Sequence, residues 1–164
     1  MSSISSPAAE GREFRNALGR YATGIAVVTL ETPAGGLLGV TVNSFNSVSL
    51  APPLVVWSLA ESSSALAAFE ESEYYAINVL AAGQEALSQR FASRREDRFA
   101  GLALEAGLGG APLLPGCCAR FQCRNAIRHA GGDHVVFIGE VEHFDYGEGE
   151  PLIYFGGAYR RLAA

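Results

Sequence analysis

Two apolar runs facing each other across a glycine turn leave this chain few options other than a β-hairpin. Ile25-Ala26-Val27-Val28-Thr29-Leu30 is short, β-branched and without polar alternation, which is the pattern of a buried strand. Pro33-Ala34-Gly35-Gly36 then supplies a turn, and Leu37 to Ser44 runs back as a second strand. The hairpin feeds Thr41-Val42-Asn43-Ser44-Phe45-Asn46-Ser47-Val48-Ser49-Leu50, a turn crowded with small hydroxyls and amides. Ala51-Pro52-Pro53 closes that turn, and Leu54 to Leu59 starts a third strand.

The rest of the chain continues in the same manner. Tyr74 to Leu80 reads as a fourth strand, Cys118 to Ala130 and Val135 to Phe144 as a long hairpin around Gly131-Gly132, and Pro151 to Phe155 as a last strand. On Cys118 to Ala130 the residues Ala119, Phe121 and Cys123 share one face, and Arg120, Gln122 and Arg124 the other. Helical spacing marks Glu13 to Tyr21, through Phe14, Ala17, Leu18 and Tyr21. A second helix follows Ser62-Ser63-Ser64, and a third covers Gly83 to Arg94. Gly101 to Gly116 reads as an extended, irregular crossing. About seven strands joined mostly by hairpins, without βαβ alternation or a G-x-G-x-x-G after a strand, exclude a Rossmann sheet. The expected fold is mainly β: a closed antiparallel barrel with peripheral helices.

Composition narrows the function. The chain has 164 residues, 49% apolar and 18% charged, enough for one substantial core. Residues 1–11 read as a disordered tail without the apolar stretch of a secretory signal, and 12–164 as one domain. A net charge of −5 argues against a nucleic-acid partner, and no run is long and apolar enough to span a bilayer. All 12 basic residues are Arg, so there is no Walker-A lysine and no Schiff-base lysine. The three cysteines, 117, 118 and 123, lack zinc-finger spacing even with His129 nearby. They fit structural thiols in a reduced, cytoplasmic protein, and no metal is expected. G-x-S-x-G and H-E-x-x-H are both absent from the sequence.

Neutral hydrogen-bonding groups clustered beside a core strand suit a flat, polar-edged ligand such as a flavin ring, although the same residues make ordinary surface loops. Taken in order, Tyr21-Ala22-Thr23-Gly24-Ile25-Ala26-Val27-Val28-Thr29, the Thr41 to Leu50 turn, Asn78-Val79-Leu80 and Gly132-Asp133-His134 resemble the short-chain flavin reductases. This is the FMN-binding split-barrel family that supplies reduced flavin to two-component monooxygenases. The resemblance runs from Phe14 to Tyr159. It implies an antiparallel, Greek-key-like split barrel and an NAD(P)H:flavin oxidoreductase that uses FMN or FAD with NADH or NADPH. It also implies reduced flavin passed to a separate monooxygenase.

The resemblance further implies flavin contacts from Thr41, Asn43, Ser44, Phe45, Asn46, Ser47 and Ser58. Phe45 reads equally as core, and Asn43 and Asn46 stand where relatives vary. Ser62, Ser63 and Ser64, at a strand-to-helix corner, fit a flavin phosphate better than a simple cap, which needs one Ser. The Asn78–Val79 backbone would line the ribityl chain, or Asn78 would only tie down a loop. Arg90, Arg94 and Arg98, four apart, could screen a phosphate or make a solvated face with Glu85, Glu96 and Asp97; the resemblance favours the corner Phe91, Ser93, Arg94. Asp133 and His134 fall on the nicotinamide side by resemblance, with His134 positioning the dinucleotide, or form a plain hairpin turn. Tyr154 and Tyr159 would stack on a base or fill core. The chain ends soon after Tyr159, without an extension to cover the dinucleotide. Surplus apolar surface and the first helix predict a homodimer. Two other readings are a non-enzymatic flavin carrier on the same barrel, and an oxidase of the pyridoxamine-phosphate type whose phosphate clamp would rest on Arg alone.

Overall fold

The computed structural model describes residues 11–163; the expected tail lies outside them except for Gly11. The first helix, α1 (Gly11–Leu18), has no buried residue. It leads into β1 (Thr23–Gly24), β2 (Ala26–Glu31), β3 (Leu37–Val42), β4 (Asn46–Leu50) and β5 (Pro53–Ala60). Then come α2 (Leu66–Glu71), β6 (Tyr74–Val79) and α3 (Glu85–Ala92). The 101–116 crossing carries only the short pair β7 (Glu105–Ala106) and β8 (Pro112–Leu113) and a 3-10 turn at Leu108–Gly110. The chain finishes with β9 (Ala119–Ala130), β10 (His134–Tyr146), β11 (Ile153–Phe155) and β12 (Ala158–Arg160).

Seven strands form one antiparallel sheet in the order β3-β2-β6-β9-β10-β5-β4. The sheet curls until β3 and β5, five places apart, meet at one point. There the Ser44 hydroxyl donates to the Ser58 carbonyl at 3.2 Å and accepts from the Ser58 N–H at 3.0 Å. A separate three-stranded sheet, β1-β11-β12, pairs Thr23 with Tyr154 and so fastens the entry of the chain to its last hairpin.

The continuous apolar run of β2 has a simple cause: both of its faces are buried. Ala26, Val28 and Leu30 point into the curl with Val42, Trp57, Phe69, Tyr75, Ile77 and Phe137. Ile25 and Val27 point outward under Phe91 of α3, Leu80, Leu114 and Leu152. Inside the curl, Trp57 stacks on Phe137 at 4.5 Å and meets Phe69 and Tyr75 edge-on. Arginines on the outer face of β9 are paired, Arg120 with Glu105 and Asp145, and Arg124 with Glu140 and Glu142. That agrees with the alternation expected for this strand.

Three expectations shift. Asn46–Leu50, read as turn, is an edge strand bonded to β5. The first helix starts and ends earlier, at Gly11 and Leu18. Ser62 to Ser64 do not open a helix, because α2 starts at Leu66 and has only six residues. Among the described residues no helix is long and apolar enough to cross a membrane.

Candidate functional site

A groove of about 880 Å³ opens between α1, β1, the β3–β4 turn and the last hairpin. Its walls include Asn43, Ser44, Phe45 and Asn46 from the hydroxyl-rich turn and Tyr154, Gly156 and Gly157 from the C-terminal hairpin. The opposite wall is Arg15, Asn16 and Gly19 through Gly24. Local sequence explains each wall. Ser44 is held by Ser58, so Asn43 is exposed at the bend. The β1–β11 register sets Tyr154 beside Thr23, and the Gly156 N–H donates to the Gly19 carbonyl at 2.9 Å.

The groove joins neutral hydrogen-bonding groups to two arginines, which suits a planar ligand with a neutral polar edge and an anionic tail; among the described residues no carboxylate lines it. The Thr23 hydroxyl is buried in its wall without any hydrogen-bond partner, and such orphans are uncommon in native proteins unless a ligand or water satisfies them. Asn43 likewise makes no side-chain bond within the described residues, whereas the side-chain Oδ1 of Asn46 accepts from the Ser47 N–H at 2.8 Å. A flavin ring, with its row of neutral donors and acceptors, fits this donor set.

Several other predicted residues serve the groove from behind. Thr41 donates to the Ser88 carbonyl at 2.7 Å, and the buried Ser88 hydroxyl bonds the Tyr159 hydroxyl at 2.9 Å. Tyr159 is therefore tethered to α3, while its neighbour Tyr154, 5.8 Å away edge-on, lines the groove. Ser47 is exposed on β4.

Asp133 and His134 stand at the start of β10, next to the predicted phosphate corner. The Glu61 N–H donates to the Asp133 carbonyl at 2.9 Å, and His134 pairs with Ala60. His134 Nδ1 lies 2.7 Å from an Asp133 carboxylate oxygen. The His134 hydrogen bond, and more weakly the Arg15 guanidinium, hold the Asp133 carboxyl below its ordinary range. A carboxylate only accepts, so Nδ1 carries the proton and a neutral His134 presents Nε2 as an acceptor.

Other candidates sit apart from the groove. Asn78 is fully buried and spends its amide inside the protein: Nδ2 donates to Val27 O and Thr29 Oγ1 at 3.1 Å, and Oδ1 accepts from Leu114 N–H at 2.9 Å. The side chain of Asn78 matches the loop-tying reading through this network. Val79 sits in β6 opposite Ala26 and Ala119. Phe91 is core, edge-on to Phe99 at 4.9 Å. Ser93 terminates α3 by donating to the Arg90 carbonyl at 2.7 Å.

The helix ends at Ala92, so Arg90, Arg94 and Arg98 share no helix face. Arg90 and Arg98 instead donate to carbonyls of the 97–100 loop and of Gly39, and Arg94 is exposed. Of Ser62, Ser63 and Ser64, only Ser63 bonds locally, accepting from the Ala65 N–H at 3.3 Å. The short α2 behind them offers little dipole. Among the described residues no cluster could hold a metal, and burial pushes the Cys117 and Cys123 thiols up to about 12.

Sequence reasoning missed one whole wall of the groove, Arg15 to Tyr21. Its only local signal was the Tyr21-Ala22-Thr23-Gly24 motif; the pairing that swings α1 into place is long-range.

The comparisons with known proteins agree with this geometry. Residues 18–163 match the flavin reductase like domain. The chain is 50% identical over 152 residues to the FMN reductase (NADH) SmoA of Agrobacterium fabrum, covering 93% of this chain and 86% of that one. It is 41% identical over 148 residues to the reductase component of the flavin-dependent trigonelline monooxygenase of Acinetobacter baylyi. That match takes in 90% of this chain but only 48% of the relative, about half its length. The NADH:FAD oxidoreductase SgcE6 of Streptomyces globisporus, solved with NAD and FAD fragments, superimposes with a TM-score of 0.92 at 33% identity, over 99% of this chain and 98% of that one. With the domain match spanning nearly the whole chain and the curled sheet reproduced, this chain belongs to the flavin reductase family.

Proposed function

We propose that this chain is an NAD(P)H:flavin oxidoreductase that uses FMN or FAD and hands reduced flavin to a separate monooxygenase. The observation that carries the reading is the groove: uncharged amides and hydroxyls, an orphaned Thr23 hydroxyl and two arginines in a chain of this family. The names of its relatives, a NADH-dependent FMN reductase and monooxygenase reductase components, support the same reading.

A bound flavin would supply the hydride acceptor, and the reduced nicotinamide the hydride. The protein's part is then to bind, orient and exclude water. Asn43, Ser44 and Asn46 would bond the ring edge, with Thr23 and Tyr154 closing the groove. Ser58 fixes Ser44. His134, oriented by Asp133, would offer Nε2 to the carboxamide N–H of the nicotinamide. Ser62 and Ser63 remain the proposed phosphate contacts, resting on their place just after β5, with Ser62 exposed and Ser63 half-buried, rather than on a helix dipole. No acid or base is required of the protein for hydride transfer.

We read residues 12–164 as one domain, working in the cytoplasm as a homodimer on the split barrel typical of the family resemblance. The dimer is supported by Phe14 and Leu18 of α1 and by Tyr21 just after it, 46%, 58% and 70% exposed, a surface that a second subunit would cover. Sedimentation as a monomer at micromolar concentration would remove that part of the reading. The activity itself is tested by following NADH absorbance with the purified protein, with and without FMN. Oxidation that depends on added flavin is expected. A protein that binds flavin yet leaves NADH untouched would favour the carrier reading instead.

A further inference from the structure

The chain contains no lysine, so any charged recognition of a phosphate must come from arginine. Half of the twelve arginines are already engaged by carboxylates or carbonyls. Arg95, Arg120 and Arg124 sit in ion pairs, and Arg90, Arg98 and Arg128 donate to backbone carbonyls. Two arginines line the groove, Arg15 and Arg20. Arg20 lies over the Phe155 ring, 5.1 Å from its centroid. Arg15 makes no hydrogen bond or ion pair among the described residues, yet it is near enough to Asp133 to lower that carboxyl.

We propose that Arg15 contacts a phosphate of the incoming nicotinamide dinucleotide. This inference rests on the reductase reading. Hydride transfer requires the two rings to stack, so the ligand bound first occupies the floor beside Thr23 and Asn43 to Asn46, and the second lies outside it. Arg15 belongs to the outer layer, since it projects from a helix with no buried residue. The neighbouring groups make a cation necessary there. The Asp133 carboxyl feels the Arg15 charge, and the chain carries a net charge of −5, so an anionic dinucleotide meets repulsion unless a guanidinium offsets it. The planar guanidinium fork matches phosphate oxygens, and a free one can engage without first breaking a protein contact.

The test compares two hydride donors, NADH and the uncharged, phosphate-free 1-benzyl-1,4-dihydronicotinamide, on wild type and Arg15→Gln at saturating FMN. Arg15→Gln should lower kcat/KM for NADH about tenfold through KM, the scale of one charge-assisted hydrogen bond in a partly solvated site. The uncharged donor should change by less than about twofold, because it offers no phosphate for Arg15 to hold. FMN and riboflavin affinities should stay at wild-type values, and Arg15→Lys should recover part of the loss. Arg12→Gln, on the same helix but outside the groove, should match wild type with both donors.

Equal losses with both donors, no loss with either, or the same loss in Arg12→Gln would overturn the assignment. Weakened FMN binding with intact riboflavin binding would overturn it too, by giving Arg15 to the flavin phosphate. A wild-type protein that oxidises neither donor with flavin present overturns the reductase reading and this inference together; failure in the variants alone overturns only the inference.

Discussion

Replacing Asn78 by Ala separates a ligand contact from a structural tie, because the structure assigns every polar atom of this amide to the protein. The side chain is fully buried. Its Nδ2 bridges Val27 O and Thr29 Oγ1, and its Oδ1 is the acceptor for the buried Leu114 N–H. Thr29 keeps a second bond, donating to Pro112 O at 2.6 Å, so the Leu114 N–H is the group stranded by the change. A stranded buried donor costs about 1–3 kcal/mol, and the lost bonds about 1 kcal/mol each. With the small cavity added, roughly 3–5 kcal/mol is expected. For a chain of this size that lowers Tm by roughly 6–20 °C. Asn78→Asp should fare no better, since its carboxylate keeps the Leu114 bond but confronts the Val27 carbonyl. The assay is thermal and urea unfolding beside flavin titration at a temperature where both proteins are folded. Flavin affinity should be nearly unchanged. A variant with wild-type Tm and a tenfold weaker flavin complex would refute the argument and return Asn78 to the site.

Two further predictions test the interior of the curl. A Cβ at Gly139 would lie 2.9 Å from Cys123 Cβ and 3.0 Å from Tyr75 Cζ, and closer still to the Tyr75 hydroxyl; Gly139→Ala should therefore cost about 1–3 kcal/mol, roughly 2–12 °C in Tm. Adding Tyr75→Phe should recover part of that loss, because the hydroxyl it removes has no partner; strictly additive Tm losses in the double variant would contradict the clash. Burial raises the Cys123 thiol from its ordinary 9.0 to about 12. Between those values the unfolded chain has lost the proton and the folded one keeps it, so stability is full below pH 9 and falls as pH rises towards 12, by about 1.4 kcal/mol per pH unit for one thiol. Cys123→Ala should flatten that alkaline slope in urea titrations, and an unchanged slope would remove burial of this thiol as its cause.

The parts of the fold that showed in the sequence are those governed by burial on a single strand. Ile25 to Leu30 lacks alternation because Ala26, Val28 and Leu30 face the curl while Ile25 and Val27 face the α3 side. Ala119 to Arg124 alternates because one face meets the core through Phe121 and Cys123 while the other is half-covered by polar partners, with Arg120 and Arg124 in ion pairs and Gln122 accepting from the Leu108 N–H. Asn46–Leu50 escaped notice for the opposite reason. Its Ser and Asn residues have turn propensity, but pairing with β5 overrides it at an edge where the side chains stay in solvent. The helix read to Arg94 stops at Ala92, where Ser93 adopts an extended backbone and its hydroxyl takes the Arg90 carbonyl. A hydroxyl that can satisfy a helix end is also ordinary in a helix, and periodicity alone does not tell the two apart.

The site divides along the same line. Asn43 to Asn46 could be found because one segment supplies all of them, already gathered by a bend. Arg15 and Arg20 could not, because nothing near them in the chain indicates what they face. Their position depends on the Thr23–Tyr154 pairing, which joins residues far apart in sequence and brings α1 across the groove. The same reasoning explains why spacing misled for Arg90, Arg94 and Arg98: a repeat of four implies one face only while the helix lasts, and here it ends after Arg90. What decides which arginines are free to meet a ligand is therefore which of them the backbone has left without a carbonyl or carboxylate to bind. In the groove, Arg15 and Arg20 are both left in that state among the described residues; Arg20 lies over the Phe155 ring, and Arg15 has no such contact.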